Sequence, residues 1–113
     1  MDTFEIPICK KAYELYRTFH NYRKIIPKHE RFTIFERCEK NILDIIENIL
    51  LAAQSSRNEK GPMLKKASLK LNVVRMFIRL LRENKALDNR RYLTLERIIN
   101  EIGKMLGGWI KSL

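Results

Sequence analysis

The chain has 113 residues, 45% of them apolar, and a formal net charge of +10. That length fits one domain, residues 1–113, with a core that needs neither disulfides nor metal, and the apolar share excludes a disordered chain. A charge of this size and sign makes a polyanion or an acidic protein surface the leading partner class, against a basic surface that serves solubility alone.

Four Gly and three Pro delimit long periodic runs, which indicates an all-α protein. The opening MDTFEIPICKK lacks the basic-then-apolar order of a secretory leader, and no run approaches the ~18 apolar residues of a membrane span. The expectation is a soluble cytoplasmic protein with no membrane partner, in which Cys9 and Cys38 are buried free thiols.

The first helix is expected from Pro7 to Ile25, because Pro suits a first helical turn and Pro27 stops the run. Ile8, Ala12, Leu15, Phe19 and Tyr22 recur along it at spacings of three and four. A short basic link, Ile26 to Glu30, then leads to a second helix from Arg31 to about Ser56. Ile34, Phe35, Cys38, Ile42, Ile45, Ile46, Ile49, Leu50 and Ala53 cover half its circumference, and Arg37, Lys40, Asn41, Asp44, Glu47 and Asn48 form a solvated face. Ser55 to Pro62 is polar, contains Gly and Pro, and reads as the one clear loop.

The third helix, Leu64 to Lys85, has unusual proportions. Lys65, Ser68, Asn72, Arg75, Arg79 and Arg82 follow at spacings of three and four and so share one narrow stripe. Leu64, Leu69, Leu71, Val73, Val74, Met76, Phe77, Ile78, Leu80 and Leu81 fill most of the rest, more than an intramolecular core requires. The segment Gly61 to Leu87 carries seven Lys or Arg against one acid, Glu83, whereas Glu30 to Ser56 carries three against five. Arg75, Arg79 and Arg82, extended by Lys65, Lys66 and Lys70, are the candidate phosphate contacts. Nothing aromatic interleaves them, so base stacking is not indicated there.

Asp88 is a candidate N-cap for a fourth helix, Asn89 to about Lys111, with Tyr92, Leu95, Ile98, Ile99, Ile102, Met105, Leu106, Trp109 and Ile110 on one face. Gly103 and Gly107, four apart, either admit the backbone of another helix or, with Gly108, let the last turn fray. Four helices with short connections make an antiparallel up-down-up-down four-helix bundle.

Catalytic chemistry is not indicated. His20 and His29 have no Cys or carboxylate at metal-ligand spacing, and Glu36, Glu39, Asp44 and Glu47 lack the Glu-x-x-His pairs of a di-metal bundle. No cofactor is expected, and the protein reads as a non-enzyme.

The runs LKLNVVRMFIRLL, from Leu69, and EIGKMLGGWI, Glu101 to Ile110, together with PKHERFTIFERCEKNILDIIENILLA, resemble the accessory variability determinant (Avd) of diversity-generating retroelements. The resemblance spans nearly the whole chain. It implies a homopentameric barrel of four-helix bundles that binds the element's reverse transcriptase together with RNA or DNA during mutagenic copying of a template, itself without catalytic activity. The alternative is a sister branch of bundles, encoded within intervening sequences of 23S ribosomal RNA genes, and a structural or protein-interaction oligomer. The excess apolar surface of the third helix motivates that second reading, in which the arginines pair with Glu36, Glu39, Glu96 or Glu101 of a neighbouring subunit.

Overall fold

A computed structural model describes residues 5–113. The opening Met1 to Phe4, on which the expectation of no leader partly rests, lies outside the described residues. These contain four main helices and no strand. Helix α1 spans Pro7–Asn21 and tightens into a 3-10 turn, Tyr22–Ile25. Ile26 is then extended, as the residue before a proline tends to be, and Pro27 precedes the next helix.

Helix α2 is a continuous run of three segments: Lys28–Glu30, a π-wound turn Arg31–Phe35, and Glu36–Gln54. It therefore starts three residues before the expected Arg31. Pro27 serves as the flanking residue, and the first turn widens rather than breaking. Phe35 is fully buried and stacks on Phe19 of α1 with ring centroids 4.3 Å apart.

The expected loop Ser55 to Pro62 shrinks to Ser55 and Ser56, and helix α3 runs Arg57–Glu83 rather than from Leu64 to Lys85. Ser56 is the N-cap residue: its carbonyl accepts from Glu59 N–H at 3.0 Å and Lys60 N–H at 3.1 Å, and its hydroxyl donates to Glu59 Oε1 at 2.8 Å. The Ser-x-x-Glu pair that starts helices outweighs Gly61 and Pro62, which sit one turn in, where a missing proline N–H releases only Asn58 C=O.

At its other end α3 closes in a Schellman turn. Ala86 N–H donates to Leu81 C=O at 2.9 Å, Lys85 N–H to Arg82 C=O at 2.9 Å, and Lys85 takes the left-handed conformation, φ 62°. Helix α4, Asn89–Lys111, follows, with Asp88 Oδ1 accepting from Arg91 N–H at 2.8 Å as its N-cap. The helix continues through Gly107 and Gly108 to Lys111, and Trp109 packs half-buried against the core.

Each helix packs on two others, α1 and α3 both lying between α2 and α4, in a bundle about 43 × 22 × 21 Å. The shared core holds Leu15 and Phe19, Ile42, Ile45 and Ile49, Leu71, Val74 and Ile78, and Leu95, Ile99 and Ile102. At about 25 cal/mol per Å² of buried apolar surface, such side chains contribute roughly 1.5–3 kcal/mol each. Cys9 and Cys38 belong to this core, and burial pushes both thiols above their ordinary range, Cys38 far above it. No helix among the described residues is long and apolar enough to cross a membrane.

Candidate nucleic-acid interface

Helix α3 turns Leu64, Ala67, Leu71, Val74, Ile78 and Leu81 into the core. Its polar stripe lies to one side of that face, in the groove with α4. Arg75 donates from Nη1 to Asn72 Oδ1 at 2.6 Å and from Nη2 to Asn100 Oδ1 of α4 at 3.3 Å. A Cβ at position 103 would sit 2.8 Å from Arg75 Nη2, so Gly103 accommodates this guanidinium and not, as expected, another helix backbone. At Gly107 and Gly108 a Cβ would meet open space.

Arg82 lies 3.8 Å over the Tyr92 ring and donates to Asn89 Oδ1 at 3.4 Å. Arg79 approaches the Tyr92 hydroxyl, which donates to Glu96 Oε2 at 2.7 Å; the bond to Glu96, and then burial, raise the Tyr92 pKa, with Arg79 opposing. Among the described residues none of Arg75, Arg79 and Arg82 has a salt-bridge partner. Amides hold Arg75 and Arg82, the Tyr92 ring lies under Arg82, and the Tyr92 hydroxyl meets Arg79, so polar and aromatic groups rather than carboxylates orient the three guanidinium groups.

The six predicted contacts do not form one patch. Lys65 continues the arginine stripe and is exposed. Lys66 and Lys70 lie on the opposite flank, facing α2: Lys70 Nζ is 2.9 Å from Asp44 Oδ2, and with Lys66, Glu47 and Asn48 the pair lines a small polar groove. Lys65 and Lys66 are adjacent, and 100° of rotation separates them into different grooves.

A second column of cations was not anticipated from the sequence. Arg90, Arg97, Lys104 and Lys111 are all exposed on α4 and recur every seven residues. Seven residues rise about 10.5 Å and return to nearly the same side of a helix. Arg97 and Lys104 stand three residues before and four after Asn100, the Arg75 partner, so this column runs alongside the arginine stripe. No carboxylate among the described residues forms a salt bridge with any of the four. The period of seven was the available signal; segment-wise charge counting dilutes it with Glu96 and Glu101.

The acids nearby are committed within the bundle. Glu101 Oε2 sits 2.7 Å from Lys11 Nζ of α1, a hydrogen bond that lowers the Glu101 pKa and raises that of Lys11. Glu39 Oε2 lies 2.9 Å from His20 Nδ1, and Glu96 holds the Tyr92 hydroxyl. Opposite the α3 core face, Leu69 (65% exposed), Val73, Met76 (59% exposed) and Leu80 follow at spacings of four, three and four, an uncovered apolar seam.

The four-helix bundle thus carries two columns of cations, on α3 and α4, and an exposed apolar seam on α3. The family model described as bAvd-like matches residues 7–113, and the chain belongs to that family. No curated protein matches the chain.

Proposed function

We propose that the chain, acting as one domain over residues 1–113, is a non-catalytic accessory protein of a diversity-generating retroelement. In this reading it is a cytoplasmic homopentamer that binds the reverse transcriptase and the template RNA or its DNA copy. Membership of the bAvd-like family supports the accessory role. The observation that carries the nucleic-acid part is the set of cations on α3 and α4 that form no salt bridge among the described residues: Arg75, Arg79 and Arg82 beside Arg90, Arg97, Lys104 and Lys111. Successive members of the α4 column stand about one Debye length apart at physiological salt, so their potentials merge into a continuous positive strip. Lys65 extends that strip; Lys66 and Lys70 bind more peripherally, beside α2. Contacts of this kind read backbone charge and shape, not base sequence.

The seam Leu69, Val73, Met76 and Leu80 supports self-assembly, because spacings of four and three give the repeat through which helices of separate chains pack. A purely structural oligomer, with the arginines paired to a neighbour's acids, fits less well. Of Glu36, Glu39, Glu96 and Glu101, only Glu36 has no hydrogen-bond or salt-bridge partner among the described residues.

The test is the Arg75→Ala/Arg79→Ala/Arg82→Ala variant, assayed by light scattering and by anisotropy with a structured RNA. A pentamer of unchanged size with RNA affinity lowered at least tenfold is the expected result. Dissociation of the assembly would move these arginines to a subunit contact and refute the proposal for them.

A further inference from the structure

We infer that the junction of α1 and α2 is a binding site for one unpaired nucleotide, separate from the cation columns, with the base stacked on Phe32 and the phosphate held by Arg23 and Lys24. The π-wound turn Arg31–Phe35 is the starting observation. Regular α-helical spacing would bring Phe32 and Phe35 to neighbouring positions on one side. The wider turn separates them, leaving Phe35 fully buried and Phe32 63% exposed. A large aromatic ring is thus held out to solvent by the backbone, on a turn type that recurs at functional sites.

Beside that ring lies a groove of about 380 Å³ walled by Phe32 and Leu43, with Glu36 and Glu39 and also Arg37 and Lys40 along it. Glu39 is engaged by His20, whereas the Glu36 carboxylate has no hydrogen-bond or salt-bridge partner among the described residues. An adjoining depression is lined by Arg23, Lys24 and Arg31. Arg31 is fixed there, donating from Nε to Ile26 C=O at 2.8 Å and from Nη2 to Lys24 C=O at 3.3 Å. The Arg23 guanidinium joins the two hollows, 5.5 Å from the Phe32 ring centroid.

The chemistry that fits this pair of hollows is narrow. One half offers an aromatic face and an unpaired carboxylate, which suit a flat group that donates hydrogen bonds; the other offers cations, which suit an anion attached to that group. The carboxylates of an acidic peptide would leave the Phe32 face unused, and a duplex would not present a free base face. An unpaired nucleotide meets both halves, and the Glu36 acceptor favours bases with an exocyclic amino group, such as cytosine, over uracil or thymine. The site lies on α2, which packs against α1 and α3, whereas the longer cation column is on α4.

The inference rests on the nucleic-acid reading above, and the experiment separates the two. Anisotropy is measured for the unaltered protein, Phe32→Ala, Phe32→Trp and Glu36→Gln with labelled oligo(C), oligo(U), oligo(dC), oligo(dT) and a blunt duplex. The expected results are tighter binding of oligo(C) than oligo(U), and a loss of about tenfold for both cytosine oligomers in Phe32→Ala, as for the removal of one stacking platform. Phe32→Trp retains binding, Glu36→Gln erodes the preference for cytosine, and duplex affinity stays unchanged in all three variants. Equal loss on duplex and single strands, a loss confined to RNA, or a changed oligomer size in Phe32→Ala would overturn the nucleotide site while leaving the cation columns standing. Failure of the unaltered protein to bind any of the five probes would overturn both readings.

Discussion

Replacing Arg97 and Lys104 of α4 together with Gln tests the cation columns most directly. Both side chains are exposed and form no salt bridge among the described residues, so their loss leaves no buried partner unsatisfied, and the change in stability should stay within about 0.5 kcal/mol. Their effect on binding follows from counterion release. If one protomer engages about four duplex phosphates, log K falls with log salt at a slope of about −3.6, and raising salt from about 50 to about 200 mM weakens binding roughly 150-fold. Removing two of those contacts halves the slope to about −1.8, so the same salt step costs the variant only about 12-fold. Anisotropy titrations of a labelled DNA duplex at four salt concentrations give the slope for each protein, with thermal melting as the control for folding. An unchanged slope in the double variant would mean that Arg97 and Lys104 do not meet phosphates, and the α4 column would carry no function.

Three further outcomes follow from the local structure. Gly107→Ala should raise stability by about 0.5–1 kcal/mol in denaturant titration, because a Cβ there meets open space and Gly is a poor helix residue; a loss of stability, or of the assembly, would show that another helix needs that surface. Lys85→Gly should also stabilise, by about 0.5–1 kcal/mol, since φ 62° costs any L side chain and Gly nothing; an unchanged melting midpoint would refute strain at that turn. The Arg91 N–H, and then the Arg91 side chain, hold the Asp88 carboxyl below its ordinary pKa, so its stabilising contribution is complete above about pH 4 and is lost as pH falls through the lowered native value. Asp88→Asn, which caps without titrating, should flatten the acid limb of the melting profile, and an identical limb would show that other carboxylates dominate it.

Legibility varied with how local the cause was. The 3.6-residue period of Ile42, Ile45 and Ile49 or of Leu71, Val74 and Ile78 reports burial directly, and all six lie in the core. The start of α3 was equally local but masked: Ser56 and Glu59 spell a helix start, while Gly61 and Pro62 a few residues later spell a break. Recognising that a proline one turn into a helix releases a single carbonyl would have placed the boundary. The fit of Arg75 to Gly103 needs two helices in register, and a glycine within a helix gives no sign of what fills the space above it. The π-wound turn is less accessible still. Its residues Arg31–Phe35 read as ordinary helix, and the widening accompanies a tertiary contact, Phe35 against Phe19, that no single segment encodes.

The three-sided division of α3 ties assembly to binding in a way that can be measured. Core residues, the seam Leu69, Val73, Met76 and Leu80, and the stripe Arg75, Arg79 and Arg82 occupy different sectors of one helix, so a copy docked on the seam need not cover the arginines. In the proposed oligomer each added copy then brings its own cation columns to the same particle. A long RNA that reaches two protomers gains avidity that a short one does not, by a factor set by effective concentration and commonly of order 10²–10⁴. Leu69→Lys/Met76→Lys places charge on the seam while leaving the core and stripe intact, and should yield a folded protein of lower mass by light scattering. Its affinity for an RNA hairpin short enough to touch one protomer should change little, apart from the small gain expected from two added lysines, whereas affinity for a long structured RNA should fall by at least tenfold. Equal effects on both RNAs would separate binding from assembly, and a variant that kept its full mass would remove Leu69 and Met76 from the contact between copies.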